Sequence, residues 1–596
     1  MGDPRMGIPQ TYVDSAQSTK LQPERTEATR YLCAAAHLDE RFARAVLDEV
    51  LYQPHRAVAP SHGISLGPVL RHALAARRRS LIRDGVVAGA LILGLFVSFS
   101  VGLIVVVSLV SLWVGTRILR SLAVRRSTRA IIYIVAAIFL IPLLLMLIGT
   151  SSLLSYWLYS LSYSGFPTGG VPGRGPIWLL ILLVIWGTYF GYRLMVHHTI
   201  AAELTPEFYD PRRAPAAGPI HERHLNYLEH AQQGNLAIYS QETGARPFIG
   251  FGGVVEEWSL VTPLRSAAAS KIPGFLADDD STTIRRASPQ VASAIPFTID
   301  QLYEAIRTGM ATLRDPRLPP DEVIPHLSVR DRVFLAGRLP FDSQFLDRGY
   351  PRYRLSEAEV KDVQSAPRGR LRHYQSVRMA AWEGEVEVTT FVHVSRRGGM
   401  LFVEFVATAM PGIQPAYHRI DTYDRMDVGA IFGAAGKAVG DVIRSPLAVF
   451  ALAGAGVDRI RRAFNEASDS QRISRQLMFD YGCRGSVREL AADFFTPMRF
   501  QLYDADERMR VVGRRLLQVL VDFLNDRHYD VRDLDSQAAT VINDNRNIKS
   551  TTLSSTTNNR NNVYGSTFNN SPLVAGNSAS ATVNSGPQST ASSPAQ

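Results

Sequence analysis

Cysteine is nearly absent: Cys33 and Cys483 are the only two in 596 residues. That excludes a disulfide framework and a thiolate metal site, and it fits a reducing compartment. Catalytic signatures are missing too. No GxSxG elbow, HExxH helix or paired kinase HRD and DFG occurs. "GAAGKAVG" at 433–440 holds Gly436 and Lys437 as a phosphate loop would, but Ile431 stands where the first glycine belongs and Ala438 where the magnesium-binding hydroxyl belongs. "GFGG" at 250–253 is not GxGxxG and reads as a turn. The opening "MGDPRMGIPQTYVDSAQ" lacks the basic-then-apolar pattern of a signal peptide and the hydroxyl residue that a myristoylation signal prefers at its sixth position, so the first apolar run itself must direct insertion.

Charge is the most telling absence. Between Gly85 and Gly115 no side chain is charged. A helix of about thirty residues is about 45 Å long, against a hydrocarbon core of about 30 Å that takes about 20 residues. The run is long for one crossing and short for two. Arg77, Arg78, Arg79 and Arg83 precede it, and Arg117, Arg120, Arg125, Arg126 and Arg129 follow it. A single crossing would put one basic flank outside, against the positive-inside rule. The nine arginines therefore predict a hairpin turning near Ser98, Ser100 and Gly102, with legs at 85–99 and 101–116 of about 15 residues and about 23 Å each. One long tilted helix is the alternative.

Two runs of single-span length follow, 130–149 and 176–195, separated by a loop with aromatics and one arginine, Arg174. The expected layout is four passes with both termini cytoplasmic. None of the runs holds Asp, Glu, Lys or His in its apolar middle, so an anchor is expected rather than a transport path. The net charge of +10 comes largely from the flanking arginines, which points to anionic lipid headgroups and not to nucleic acid.

Outside the membrane the chain reads as follows. Residues 1–25 are disordered, and 26–83 form a helical cytoplasmic segment with a break near His37, Phe42, Val46 and Val50 at helical spacing, and a face of Leu66, Leu70, Ala73 and Leu74 leading to the headgroups. Residues 200–535 form a cytoplasmic α+β domain. "GNLAIYS" and "RPFIGFGGVVEEWSLVT" read as strands joined by "QETGA", and "TIDQLYEAIRTGMATL" as a helix with Leu302, Ile306 and Met310 on one side. "LRHYQSVRMAAW", "EVEVTTFVHVS" and "MLFVEFVATAM" read as an antiparallel meander. Alternation of Val386 and Val388 with Glu385 and Glu387 predicts one wet face. The segment 428–456, with Lys437, Asp441 and Arg444 among small apolar residues, is either a helical hairpin broken at Ser445 and Pro446 or an element lying on the membrane. The stripe Met509, Val512, Leu516, Val519, Leu520 and Phe523 marks a helix over 504–526, with Asp504 and Glu507 at capping-box spacing. From 536 to 596 Asn, Ser and Thr dominate and disorder is expected, with short β-prone pieces that favour cross-β stacking when concentrated.

The fold class expected is thus a helical membrane protein, a hairpin plus two spanning helices, with a soluble α+β domain and a disordered tail. His221, His224 and His230 in "HERHLNYLEH" are the only metal-like cluster, and the third is poorly phased for the face of the first two. No catalytic residue, cofactor or metal site is assigned. The order of parts, carried by "GNLAIYS...RPFIGFGGVVEEWSL", "RHYQSVRMAAWEGEVEVTTFVHV" and an Asn-rich tail, resembles uncharacterised multi-pass membrane proteins of actinobacteria. The tail around Asn562, Val563, Tyr564, Gly565 and Phe568 is similar to amyloid-type signalling motifs of bacterial immune proteins. The resemblance implies a bacterial inner-membrane location and no activity. The expectation is a membrane-anchored binding, signalling or scaffold protein. Its partners would be anionic lipid and a second copy or another protein through the tail or the 504–526 helix. The alternatives are a metal-dependent enzyme using His221 and His224 and an oligomeric pore or transporter.

Overall fold

A computed structural model describes residues 26–97, 99–123, 175–242, 246–267, 294–347, 349–365, 369–423, 428–494 and 499–544. The expected span at 130–149, the loop after it and the tail from 545 lie outside the described residues. Chain contacts divide the rest into two units, the first holding residues 26–102 and 175–544 and the second residues 103–123.

The N-terminal layer begins with α1 (Glu27–Leu38) and α2 (Glu40–Val46). Asp39 separates them because its carboxylate accepts from the backbone N–H groups of Arg41 and Phe42 at 2.8 and 3.3 Å, so one residue ends the first helix and caps the second. Helix α3 runs without interruption from Leu66 to Val97. It merges the expected basic surface helix with the first leg of the expected hairpin, so that leg is the end of a 32-residue helix and not a 15-residue stub. Its first half buries Leu66, Val69, Leu70 and Ala73 against α1, α2 and α6 (Pro219–Gln232), whereas Ile82, Val86, Leu93 and Phe96 in its second half are exposed. Of the face expected from sequence, Leu66, Leu70 and Ala73 are buried against protein and Leu74 is half-buried.

After α3 the chain reverses. A Cβ built on Gly102 would lie 3.3 Å from the Cα of Leu95, whereas residues seven apart along one helix are about 10.5 Å apart. The indole of Trp178 fills the space that side chains at Gly94 and Gly102 would occupy. Helix α4 (Phe99–Ala123) continues from the first unit into the second, and its apolar part, Gly102–Arg117, is shorter than a span. Helix α5 covers Gly175–Glu203. Among the described residues two helices, Leu66–Val97 and Ile177–Glu203, are long and apolar enough to cross a membrane.

The body is an α+β unit around a six-stranded sheet of β1 (Leu236–Tyr239), β2 (Gly253–Pro263), β3 (Ser328–Ala336), β4 (Leu371–Ala381), β5 (Val386–Arg397) and β6 (Met400–Met410), in the order β1-β3-β4-β5-β6-β2. The meander β4-β5-β6 is as the alternation predicts. The strands β1 and β2 are not a hairpin: they occupy opposite edges, β1 parallel to β3 and β2 antiparallel to β6. The expected wet face is present only in part: at the β6–β2 end Glu257, Ser259, Val261 and Phe402 are exposed. One side carries Val377, Val388, Val392 and Phe405 against α7 (Ile299–Ala311) and α12 (Arg499–Asn525), and the other carries the aromatic cluster Phe251, Phe334, Tyr374 and Phe391. Glu387, assigned to water by its alternation, is buried.

Helix α7 is capped by a reciprocal Thr298–Gln301 box. Helix α12 starts at Arg499 or before, so Asp504 and Glu507 lie inside it and are not a cap, although Met509, Val512, Leu516, Leu520 and Phe523 are buried as the stripe predicts. A short α8 (Glu357–Ser365) packs on β4. The segment 428–474 forms α9 (Val428–Val442) and α10 (Pro446–Ser474), bent by 77°. Pro446, which has no N–H, begins α10, and the break is therefore a corner instead of the reversal a hairpin requires. Helix α11 (Val487–Ala491) joins the N-terminal core, and α13 (Arg532–Asp544) carries helix nine residues past the expected domain end at 535.

Candidate functional site: a basic cavity between the long helices

Where the exposed apolar side chains of α5 give way to charged ones, α1, α2, α3, α5, α9 and α10 enclose a cavity of about 1040 Å³. Seven cationic side chains line it, Arg41, Arg44, Arg83, Arg193, Arg419, Lys437 and Arg444, against four carboxylates, Asp39, Glu40, Asp84 and Asp441.

The carboxylates are engaged. Arg83 donates to Glu40 Oε1 at 2.7 Å and to Asp84 Oδ1 at 2.6 Å, and its guanidinium lies 4.5 Å from the Tyr192 ring centre. Arg193 Nε donates to Asp441 Oδ2 at 2.6 Å, tying α5 to α9. Asp39 accepts from the α2 backbone and from the Tyr417 hydroxyl at 3.1 Å. That leaves Arg41, Arg44, Arg419, Lys437 and Arg444 with no ion pair among the described residues. Nε of Arg44 is buried without a hydrogen-bond partner. Elsewhere on the same helices, outside the cavity lining, Phe432 on α9 and Phe450 on α10 are both 72 % exposed, and Leu179, Leu180 and Leu183 on α5 are exposed as well.

At the inner wall, His37 Nε2 meets His72 Nδ1 at 3.0 Å. Burial, then the charges of His72 and Arg79, pushes His37 down to about 3, so it is neutral near pH 7.

Of the nine flanking arginines and the three histidines singled out by sequence, only Arg83 lines this cavity among the described residues, joined by Lys437, Asp441 and Arg444 of the 428–456 segment. Arg77 is half-buried and Arg78 exposed on α3, and Arg79 donates to Thr199 Oγ1 at 2.9 Å, joining α3 to α5. Arg117 lies over Trp113 in the second unit, and Arg120 is on helix α4. Arg125, Arg126 and Arg129 are outside the described residues. His224 is buried beside Tyr227, whereas His221 is half-exposed, and among the described residues no three His, Cys, Asp or Glu side chains are placed to hold a metal. Sequence reasoning missed Glu40, Arg44, Asp84 and Arg419. The available signal was the trio Lys437, Asp441 and Arg444, spaced three or four residues apart so that all fall on one side of an apolar helical segment.

No curated protein matches the chain. No solved structure matches it either. Residues 257–566 match the AbeC-like domain, a stretch that includes β3 through α13 and contributes the 419–451 wall of the cavity. That match covers just over half of the sequence, and the chain belongs to the AbeC-like domain family.

Proposed function

We propose that the protein is a membrane-anchored binding protein whose basic cavity holds the phosphate-bearing head of an anionic lipid, with the α+β body in the cytoplasm. The observation that carries this reading is the cation surplus. Five basic side chains line one cavity without a carboxylate partner among the described residues, and α5, α9 and α10, which help to form it, carry exposed apolar side chains elsewhere along their length. A phosphate satisfies several guanidinium groups at once, and acyl chains suit the exposed apolar side chains of the same helices. The volume is that of a ligand site, not of a packing gap.

The membrane part supplies the anchor. Arginines on α3 and aromatic Trp186, Tyr189 and Tyr192 on α5 stand at the level where an interface is expected. The absence of an assigned catalytic set leaves binding, or a scaffold role dependent on it, as the function argued. The test is lipid retention by the full chain extracted in mild detergent and measured by native mass spectrometry. Phosphatidylglycerol is expected to remain bound in preference to phosphatidylcholine, and R44Q/R444Q to lose that preference. Equal retention of both lipids by the wild type would refute the proposal.

A further inference from the structure

A second concentration of arginine lies far from the lipid cavity, on the aromatic face of the sheet. In β3, Arg330, Arg332 and Phe334 alternate onto one face. Pairing of Arg330 with Ser376, of Ser328 with Arg378, and of Arg378 with Thr389 sets β4 and β5 residues beside them. The loop at His62 and helix α11 close over the top, adding His62 and Arg488.

The charges do not balance. Arg378 and Arg488 share Glu387 Oε1 at 2.5 and 3.0 Å, which uses the one carboxylate these arginines contact. Arg332 is 3 % exposed, and its guanidinium meets only neutral partners: the carbonyl of Gly234 at 3.1 Å, the ring of His62, and the face of Phe251 at 5.1 Å. Arg330 has no side-chain hydrogen bond or ion pair among the described residues. Burial, followed by the charges of Arg330 and Arg378, pushes Arg332 down to about 9. Nε of Arg378 and of Arg488 is buried without an acceptor. Uncompensated buried charge of this kind costs several kcal/mol per ion unless a counter-ion enters.

There is a place for one. Between His62, Phe251, Ser328, Arg330, Arg332, Ser376, Arg378 and Thr389 is a cavity of about 10 Å³, the volume swept by one water-sized centre. The Ser376 hydroxyl donates to the Arg330 carbonyl at 2.8 Å, whereas Ser328 and Thr389 hydroxyls make no hydrogen bond to another described group. Two hydroxyl donors and the guanidinium groups thus converge on a space too small for a tetrahedral oxyanion. We propose that this cavity is a binding site for a single monatomic anion, chloride under cellular conditions. Through His62 the ion ties the loop leading into α3 to the sheet of the AbeC-like domain.

The experiment uses the full chain in detergent, with thermal unfolding followed at constant ionic strength while chloride replaces gluconate. The midpoint is expected to rise by several degrees, with bromide equivalent to chloride. R330Q, at an exposed position that leaves Arg332 and the Glu387 pairs in place, is expected to abolish the rise. Because R332M is buried and can fail to fold, halide binding is also read directly, from chloride-35 line broadening that bromide displaces in the wild type and that R330Q lacks. Identical midpoints and linewidths with and without chloride would overturn the site. Stabilisation by phosphate or sulfate with none by chloride would overturn the assignment to a monatomic ion.

Discussion

Arg193 on α5 and Asp441 on α9 meet at 2.6 Å, the one ion pair joining the membrane-length helix to the bent helical pair among the described residues. It fixes where α9 stands and so forms one wall of the basic cavity. Trp186 Nε1 supports the same packing with a 3.3 Å hydrogen bond to the Ala435 carbonyl, left accepting inside α9.

This pair predicts a modest, local instability. Arg193 is 34 % exposed and Asp441 16 %, so solvent screens the attraction, and D441N is expected to cost about 1 kcal/mol. Limited proteolysis should then cut between 440 and 446 faster than in the wild type, and R193D/D441R should recover part of the protection. Unchanged cleavage in D441N would show that apolar packing alone holds α9.

Glu387 should behave differently. It serves Arg488, which is 1 % exposed on its side chain, and Arg378 together. Removing its charge leaves two guanidinium groups without their carboxylate, and E387Q is expected to destabilise by about 3–5 kcal/mol in denaturant titrations. A loss under 1 kcal/mol would contradict the geometry.

Two glycines predict opposite outcomes from the same substitution. A Cβ on Gly309 of α7 would collide with Val519 of α12, whereas one on Gly513 of α12 would sit 3.7 Å from Phe405, an ordinary contact. G309A is expected to cost about 1–3 kcal/mol through overpacking. G513A should be neutral or stabilise by about 0.5–1 kcal/mol, since alanine is the better helix former. Calorimetric midpoints of the two variants should fall on opposite sides of, or at, the wild-type value.

Acid should weaken the fold through histidines it holds neutral. Burial, then the charge of His221, pushes His224 down to about 4. An unfolded imidazole titrates near 6.5. Below that value the unfolded chain takes up protons that the folded chain refuses, so stability is full above about pH 6.5 and declines as pH falls toward 4. His37 adds to the same slope. Urea midpoints should drop between pH 7 and pH 5, and H224F should flatten part of the decline. A pH-independent midpoint in the wild type would remove the argument.

Local pattern was legible wherever one face of an element decides its fate. Period-two alternation marked β4, β5 and β6, and the stripes through Leu302, Ile306 and Met310 and through Met509 to Phe523 marked α7 and α12. Apolar length marked the helix at 175–203. These features depend on residues within one or two turns of each other, and burial of the marked side is worth more than any competing local preference.

What the sequence could not decide is where those elements meet. Strand β1 pairs with β3 almost a hundred residues later, which no turn residue announces, and Glu387 is buried because Arg488 reaches it from α11. Asp504 and Glu507 have the spacing of a cap, yet the helix already passes through them, since capping depends on where the chain enters. The basic cavity is likewise tertiary: its basic side chains come from residues 41–83, 193 and 419–444, and only packing turns dispersed cations into a shared field. Composition and periodicity determined which segments are apolar, helical or extended. Long-range contact decided which charges are left without partners, and it is that surplus, not any motif, that defines both proposed binding sites.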